Sequence, residues 1–555
     1  MFAMHSLVPL RFLVAFVLLI TFSLGTNGQT HPSTLTAAGR VAWEASATPV
    51  RQGIPGQVPF WNEHAKRFVY APAFDFKSVP NAAHYRFELV SDAARAPFHF
   101  DAAEPFADLG PIWAQVPVGE FTLTVTGIAK DGTALGIAGK RSAYRAAPFN
   151  GPYHEPPVLP LDESASLALR KLLHKDYVSY WLLHREPDPE YVLYQYPSKI
   201  HGALVIGAVT QARLTAGSEE AQRSTELARV IADYMLQIRF PAGNKWQHHV
   251  PTYHGPHIKK VKKKHMRLAN HLTTMGVDAG NAFLEAYELT GDDKYLLAAT
   301  QIAETYRTTQ NEQGAWPLLV RFKDGKSVSE LISIPTAVVN YIDRLQRDYQ
   351  VEGLEEVKQR ALNYVMENPV KSFNWQGQFE DIVPRAPYVN QSREQACELA
   401  MYLLRNKENQ EPAEELIRFA EDQFVIWEKP LPRERKNPGF SSANWITPSV
   451  QEQYVFWNPV GRSAAVMIET YWQAYESTGD TMYRLKAESL ANTFPAVQQV
   501  HDGDYPTFFT PYPKMNFWLN SVVFPAKVLM ELEDKKATLN PSHERHRSRR
   551  LPNAP

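Results

Sequence analysis

The chain has 555 residues, with 58 basic against 59 acidic side chains and a net charge of −1. That length exceeds one small core, so two or more structural units are expected. Near-neutrality excludes a global field that would gather nucleic acid or another polyanion, and the single cysteine, Cys397, excludes an intramolecular disulfide.

At the N-terminus Arg11 precedes an apolar run over 12–24, followed by Gly25-Thr26-Asn27-Gly28. The run is too short to span a bilayer and has the shape of a signal peptide, so residues 1–28 are expected to be removed on export. No other stretch is apolar enough to cross a membrane. The expectation is a secreted or periplasmic protein with no membrane contact after cleavage.

Over 29–147 the hydrophobic period becomes two. Tyr85, Phe87 and Leu89 alternate with His84, Arg86 and Glu88, and Phe121, Leu123 and Val125 with Thr122, Thr124 and Thr126. Asp131-Gly132 marks a turn. This pattern predicts a small antiparallel β-sandwich, and the segment 113–123 resembles the late strands of fibronectin type III-like modules. Five prolines, Pro148, Pro152, Pro156, Pro157 and Pro160, make 148–162 a stiff linker.

The remainder, 163–535, reads as twelve helices in two alternating sets. One set spans about 166–183, 219–238, 292–309, 354–367, 411–428 and 480–497. The other spans about 198–214, 276–289, 335–348, 392–405, 461–476 and 516–533, is rich in Gly and Ala, and is expected inside. A hairpin repeats within the array: Ala286-Tyr287-Glu288-Leu289-Thr290-Gly291-Asp292 matches Ala474-Tyr475-Glu476-Ser477-Thr478-Gly479-Asp480. In both copies a Gly ends one helix and an Asp opens the next. Inner-to-outer turns are short, whereas most outer-to-inner connections are long, so one face of the array is built up and the other is bare. Residues 536–555 are polar and basic and are expected to be a disordered tail.

Twelve alternating helices with one elaborated face and a sandwich in front resemble the (α/α)6 toroid of the six-hairpin glycosidase superfamily, over about 160–535. The resemblance implies a mainly α fold. It implies an active site in the funnel at the N-termini of the inner helices, and hydrolysis of glycosidic bonds by a uronic-acid-active enzyme such as a β-glucuronidase or an unsaturated glucuronyl hydrolase. Related toroids carry polysaccharide lyases and C5-uronyl epimerases, which stand as the alternative. A non-catalytic glycan-binding repeat protein is the third reading, disfavoured because repeat scaffolds keep their loops short.

Convergent inner-helix N-termini would favour a carboxylated ligand, and so an acidic glycan. Glycoside hydrolysis needs two carboxyl groups. Asp278 lies in the first turn of an inner helix, and Glu380-Asp381 lie in a long loop; these three are the catalytic candidates. Each has a plain alternative, a helix-start residue for Asp278 and surface charge for the loop pair. The loop over 239–275 holds Tyr253, His254 and further histidines, with Arg267, Asn270 and His271 close by, as a lyase would need. The basic run over 259–264 would guide an acidic glycan to the rim. Twelve Trp and 25 Tyr suit sugar stacking or a dense helical core. The binding candidates are His201, Tyr253, His254, Asn281, Trp316, Trp375, Tyr388, Arg393, Trp457, Asn458, Arg462 and Trp518. The arginines suit bidentate capture of a carboxylate or a structural ion pair. No recognised metal-ligand spacing and no nucleotide-binding motif are present, so neither metal nor cofactor is expected.

Overall fold

The computed structural model describes residues 35–51, 63–254, 270–379, 385–407, 410–429, 445–510 and 518–539. The proposed signal peptide, the 259–264 run, Arg267, Glu380, Asp381 and most of the basic tail lie outside the described residues.

The N-terminal unit begins with helix α1 (Ala37–Ala45). Its main sheet has five strands: β1 (Arg67–Phe68), β3 (His84–Ser91), β4 (Phe98–Ala102), β6 (Gly119–Ile128) and β7 (Ala134–Arg145), in the order β1-β7-β6-β3-β4. The period-two segments form its centre: Phe87 faces Val125, Leu89 faces Leu123, and all four are fully buried. In place of a full second layer, a short pair, β2 (Ala73–Asp75) with β5 (Phe106–Asp108), and the one-turn helix α2 (Gly110–Trp113) cover the sheet. Trp113 meets Phe121 edge-to-face at 5.7 Å.

The helical unit contains α3 (Leu161–Leu173), α4 (Asp176–His184), α5 (Gly202–Leu214), α6 (Glu219–Gln237), α7 (Gly276–Thr290) and α8 (Asp293–Thr309). It continues through α9 (Thr336–Tyr349), α10 (Glu355–Val365), α11 (Glu394–Asn406), α12 (Gln410–Phe424), α13 (Gly461–Thr478), α14 (Thr481–Val500) and α15 (Leu519–Leu539). The segment expected as one helix over 166–183 is interrupted at His174-Lys175 and becomes α3 and α4. Helices α5, α7, α9, α11, α13 and α15 pack each on the next, and α15 returns to pack on α5, which closes a ring. Outer helices α3, α6, α8, α10, α12 and α14 surround it, giving an (α/α)6 toroid.

Local chemistry sets the turns. Gly291 and Gly479 adopt left-handed φ of 67° and 74° at the ends of α7 and α13. Asp292 and Asp480 then accept hydrogen bonds from Lys294 N and Met482 N at 3.2 and 2.8 Å. Both copies of the repeated hairpin therefore use the same stop and start. Close approach within the ring also needs glycine. A Cβ on Gly280 would lie 2.4 Å from the Tyr341 ring, whose hydroxyl donates to Ala299 O at 2.7 Å.

The long connections carry structure of their own. β8 (Asn270–Leu272) pairs with β9 (Leu319–Arg321), and β10 (Val425–Ile426), β11 (Ser449–Gln453) and β12 (Phe456–Pro459) form a second small sheet. The proline-rich segment packs against the toroid: buried Phe149 meets Trp427 at 4.9 Å, and the Tyr153 hydroxyl donates to Glu428 at 2.7 Å. Asp422 of α12 accepts from Val69 N and Tyr70 N at 2.6 and 2.8 Å, which ties the sheet unit to the ring. Among the described residues no helix is long and apolar enough to cross a membrane.

The Gly280 contact yields a stability prediction. Replacing Gly280 by Ala forces Tyr341 away from Ala299 and is expected to destabilise the protein by about 1–3 kcal/mol. The midpoint of urea unfolding, compared with wild type, measures it. An unchanged midpoint would show that α7 and α9 can separate without cost.

Candidate functional site

A funnel opens at the N-terminal ends of the inner helices, lined by groups that the fold brings from far apart in the chain. Asp278 comes from the first turn of α7, Glu394 and Glu398 from α11, Arg462 from α13, and Lys199 from the π-helical turn Pro197–His201 that leads into α5. Trp518 and Asn520 stand at the start of α15, and Gln378 and Phe379 project from the connection before α11. Glu394 and Glu398 are four residues apart, one helical turn, so both face the same axis.

The electrostatics of this layer are unequal. Arg462 Nη2 donates to Glu394 Oε1 at 2.7 Å. Burial opposes ionisation of Glu394, but Arg462 and Arg393 outweigh it and hold the carboxyl well below the usual carboxylate range. Glu398 receives the opposite treatment. Burial, and then the negative charge of Glu394, push it up to about 8, although Thr336 Oγ1 donates to its Oε2 at 2.7 Å. Asp278 adds to the same upward push. The two carboxyls are thus driven in opposite directions, Glu398 toward its protonated form and Glu394 toward its carboxylate.

The surrounding loops keep this layer in place. Arg393 is buried and donates through Nη1 to Glu452 O at 2.8 Å, fastening β11 over the head of α11. Asn390 Nδ2 donates to Gln453 Oε1 at 2.8 Å, and Val455 N donates to Asn390 Oδ1 at 3.1 Å. Ile334 N donates to Gln378 Oε1 at 2.8 Å, which joins the approaches to α9 and α11.

Of the residues singled out from sequence, Asp278, Arg393, Arg462 and Trp518 meet in this funnel. Others sit elsewhere. His201 is buried among Trp181, Tyr194 and Tyr234, with ring centroids 5.1 to 5.7 Å away, and serves packing. Trp316 and Trp375 are fully buried, and Trp316 Nε1 donates to Tyr306 O at 3.1 Å, so neither is a sugar platform. Tyr253 is buried near Tyr196, and Asn458 is buried on β12. Trp457 stacks on Tyr454 at 4.9 Å, and Tyr388 donates through its hydroxyl to Ser372 O at 2.9 Å. His254 is half-buried beside Phe322, and Asn281 accepts from Arg344 below the funnel. Glu394, Glu398 and Lys199 were not singled out. Two glutamates at four-residue spacing in the first turns of an inner helix were the available signal.

Two histidines of the 239–275 connection, His249 and His271, form a buried pair. His249 Nδ1 lies 3.1 Å from His271 Nε2, and both rings are fully buried. Thr252 N donates to His271 Nδ1 at 3.1 Å, so neutral His271 carries its proton on Nε2, aimed at His249. A Cβ on Gly276 would fall 2.4 Å from His249 Nδ1, so the pair packs tightly under the start of α7. Among the described residues no group of three or more His, Cys, Asp or Glu is arranged to hold a metal ion.

No protein-family model matches the chain, and no curated relative matches it. Comparison with solved structures finds distant similarities at low identity. A family 76 glycoside hydrolase from a bovine Bacteroides thetaiotaomicron strain is 10% identical with a TM-score of 0.45, covering 85% of this chain and 98% of that one. Cellobiose 2-epimerase from Spirochaeta thermophila DSM 6192 is 14% identical with a TM-score of 0.43, covering 68% and 98%. An unsaturated glucuronyl hydrolase specific for heparin is 10% identical with a TM-score of 0.41, covering 68% and 97%. At that distance no residue role passes from them to this chain.

The buried histidines predict a pH effect on stability. Burial lowers both, His271 to about 3 and His249 well below its ordinary value. Below about pH 6.5 the unfolded chain therefore binds more protons than the native one, and stability falls as pH drops from there. The loss is expected to be roughly 2 kcal/mol per histidine by about pH 5. Unfolding midpoints at about pH 7 and pH 5 measure it, and His271→Asn, though less stable, should show a smaller difference between the two.

Proposed function

We propose that this protein is an exported glycoside hydrolase acting on a uronic-acid-containing glycan. The observation that carries the reading is the paired state of the funnel carboxyls. Glu398 is held protonated by burial and by Glu394, while Glu394 is locked as a carboxylate by Arg462. Glycoside hydrolysis requires a proton donor and a carboxylate in one cleft. Glu398 takes the part of general acid toward the leaving oxygen. Asp278, on helix α7 two places round the ring, takes the part of the carboxylate that activates water or attacks the anomeric carbon. The Glu394–Arg462 pair sets the charge that keeps Glu398 protonated.

Lys199, Arg393 and the N-termini of the inner helices put positive potential around the funnel, which supports a substrate carboxylate. Trp518 offers an aromatic face at the same mouth. The lyase and C5-epimerase alternative loses support, because Tyr253, His249 and His271 are buried in the core. The N-terminal unit, which we compare with a fibronectin type III-like module, braces the ring.

The test is a panel of acidic oligosaccharides, followed for new reducing ends and for ultraviolet absorbance of unsaturated products. Reducing ends without absorbance are expected. Absorbing products would establish a lyase, and neither signal would remove the hydrolase reading. Glu398→Gln and Asp278→Asn should each lower kcat about a hundredfold or more with the fold intact. Because the acid must carry its proton, kcat should fall as pH rises through about 8, the value to which Glu398 is pushed. A rate that keeps rising past that point would take the acid role from Glu398.

A further inference from the structure

The ring is hollow below the funnel as well. A second chamber opens on the opposite face, that of the short turns, and its inner end is formed by the same Asp278, Glu394, Glu398 and Arg462. Its walls follow helical spacing. Glu398, Met401 and Arg405 descend α11, and Arg462, Val466 and Glu469 descend α13. Seven residues separate Arg462 from Glu469, so the chamber runs about 10 Å along the axis between those two levels. Met401, Val466 and Phe524 form an apolar collar just under the carboxyl layer, and all three are half-buried, facing the lumen. Below the collar the lining is charged, and the rim carries Lys535 and Arg347. Most of the lower charges are paired: Arg213 and Arg344 share Glu285 and Glu288, and Lys527 pairs with Glu531. Glu469 differs, with no hydrogen bond among the described residues. Burial and Glu531 push it up to about 7.

We infer that this axial channel is the route by which Glu398 regains its proton from the face opposite the substrate. The inference rests on the assignment of Glu398 as general acid. In one turnover Glu398 gives its proton to the leaving oxygen. The attacking water delivers a hydroxyl to the anomeric carbon, and its remaining proton goes to Asp278. The glycosidic bond has then gained one water, Glu398 lacks a proton and Asp278 holds one. Both groups reach the channel lumen, so the excess proton returns from Asp278 to Glu398 through channel water, with Glu469 as a stopping point toward bulk solvent. A sugar seated against Trp518 covers the upper side of Glu398 during this exchange, and the lower side stays wet.

The experiment uses the full chain with Val466→Cys in the collar. The native Cys397 is fully buried with its thiol pushed up to about 12, so it is inert. Benzyl methanethiosulfonate is added, the Val466→Cys thiolate displaces methanesulfinate, and the mixed disulfide places a benzyl plug in the collar. Mass spectrometry should show one label on the variant and none on wild type. On the acidic oligosaccharide that wild type cleaves best, labelling should lower kcat at least fivefold, leave KM within twofold, and raise the solvent deuterium isotope effect on kcat. Dithiothreitol should restore all three. Failure to label would mean the collar is closed. A labelled protein with unchanged kcat, or a lowered kcat with an unchanged isotope effect, would likewise overturn the route. Inactivity of unlabelled wild type on every glycan would instead remove the hydrolase reading, while labelling still reported an open channel. Glu469→Gln gives a second check, with a smaller fall in kcat and the same rise in isotope effect.

Discussion

Six helices can converge on one axis only if the last packs against the first. Here α15 returns to α5 across more than half the chain, and it rests on α3 as well. That closure assembles the funnel, because Lys199, Asp278, Glu394, Arg462 and Trp518 stand on five different segments and share nothing else. It also demands small residues at the contacts. A Cβ on Gly202 would already press on Asp278 O at 3.2 Å, and one on Gly461 on Ser521 O at 3.0 Å. The inner helices are thus short of room where they touch each other and spacious toward the axis.

The carboxyl layer shows how that geometry is converted into chemistry. Two glutamates one turn apart on α11 would ordinarily titrate alike. Arg462, arriving from the next inner helix and lying over Phe524 at 4.4 Å, pairs with one of them and leaves the other against its neighbour's charge. Removing Arg462 would leave the buried Glu394 carboxylate unpaired, which costs far more than the pair contributes to stability. The pair therefore specifies protonation state more than it stabilises the ring.

Much of the helical unit was legible in the chain. The Gly stop and Asp start at 291–292 and 479–480 are local signals that need no tertiary help. The alternation of small-residue and charged helices gave the inner and outer sets. Legibility failed where tertiary packing decides. Trp316 and Trp375 lie on long connections and looked like platforms, but those connections fold back and bury them. The histidine-rich stretch looked reactive, yet Gly276 leaves just enough space for His249 to enter the core. The inner helices were read from their small residues as buried. In fact α9, α11 and α13 turn charged residues toward the axis, because the ring encloses an open cavity there. Glu394 and Glu398 were overlooked for the same reason: a carboxylate on an inner helix has meaning only once the axis is known to be hollow. The two carboxylates placed in the connection before α11, Glu380 and Asp381, lie outside the described residues.

The tie between the sheet unit and the ring bears on how the molecule comes apart. Phe149 and Trp427 are buried against each other, and Arg67, itself buried, donates to Val425 O at 2.7 Å while its own carbonyl accepts from Gln423 Nε2 at 2.9 Å. Apolar side chains from Ala42 to Leu532 belong to one continuous cluster. Two units by sequence therefore share one packed core. Cutting the chain at the prolines would not release a free toroid but strip α12 of the surface that covers it.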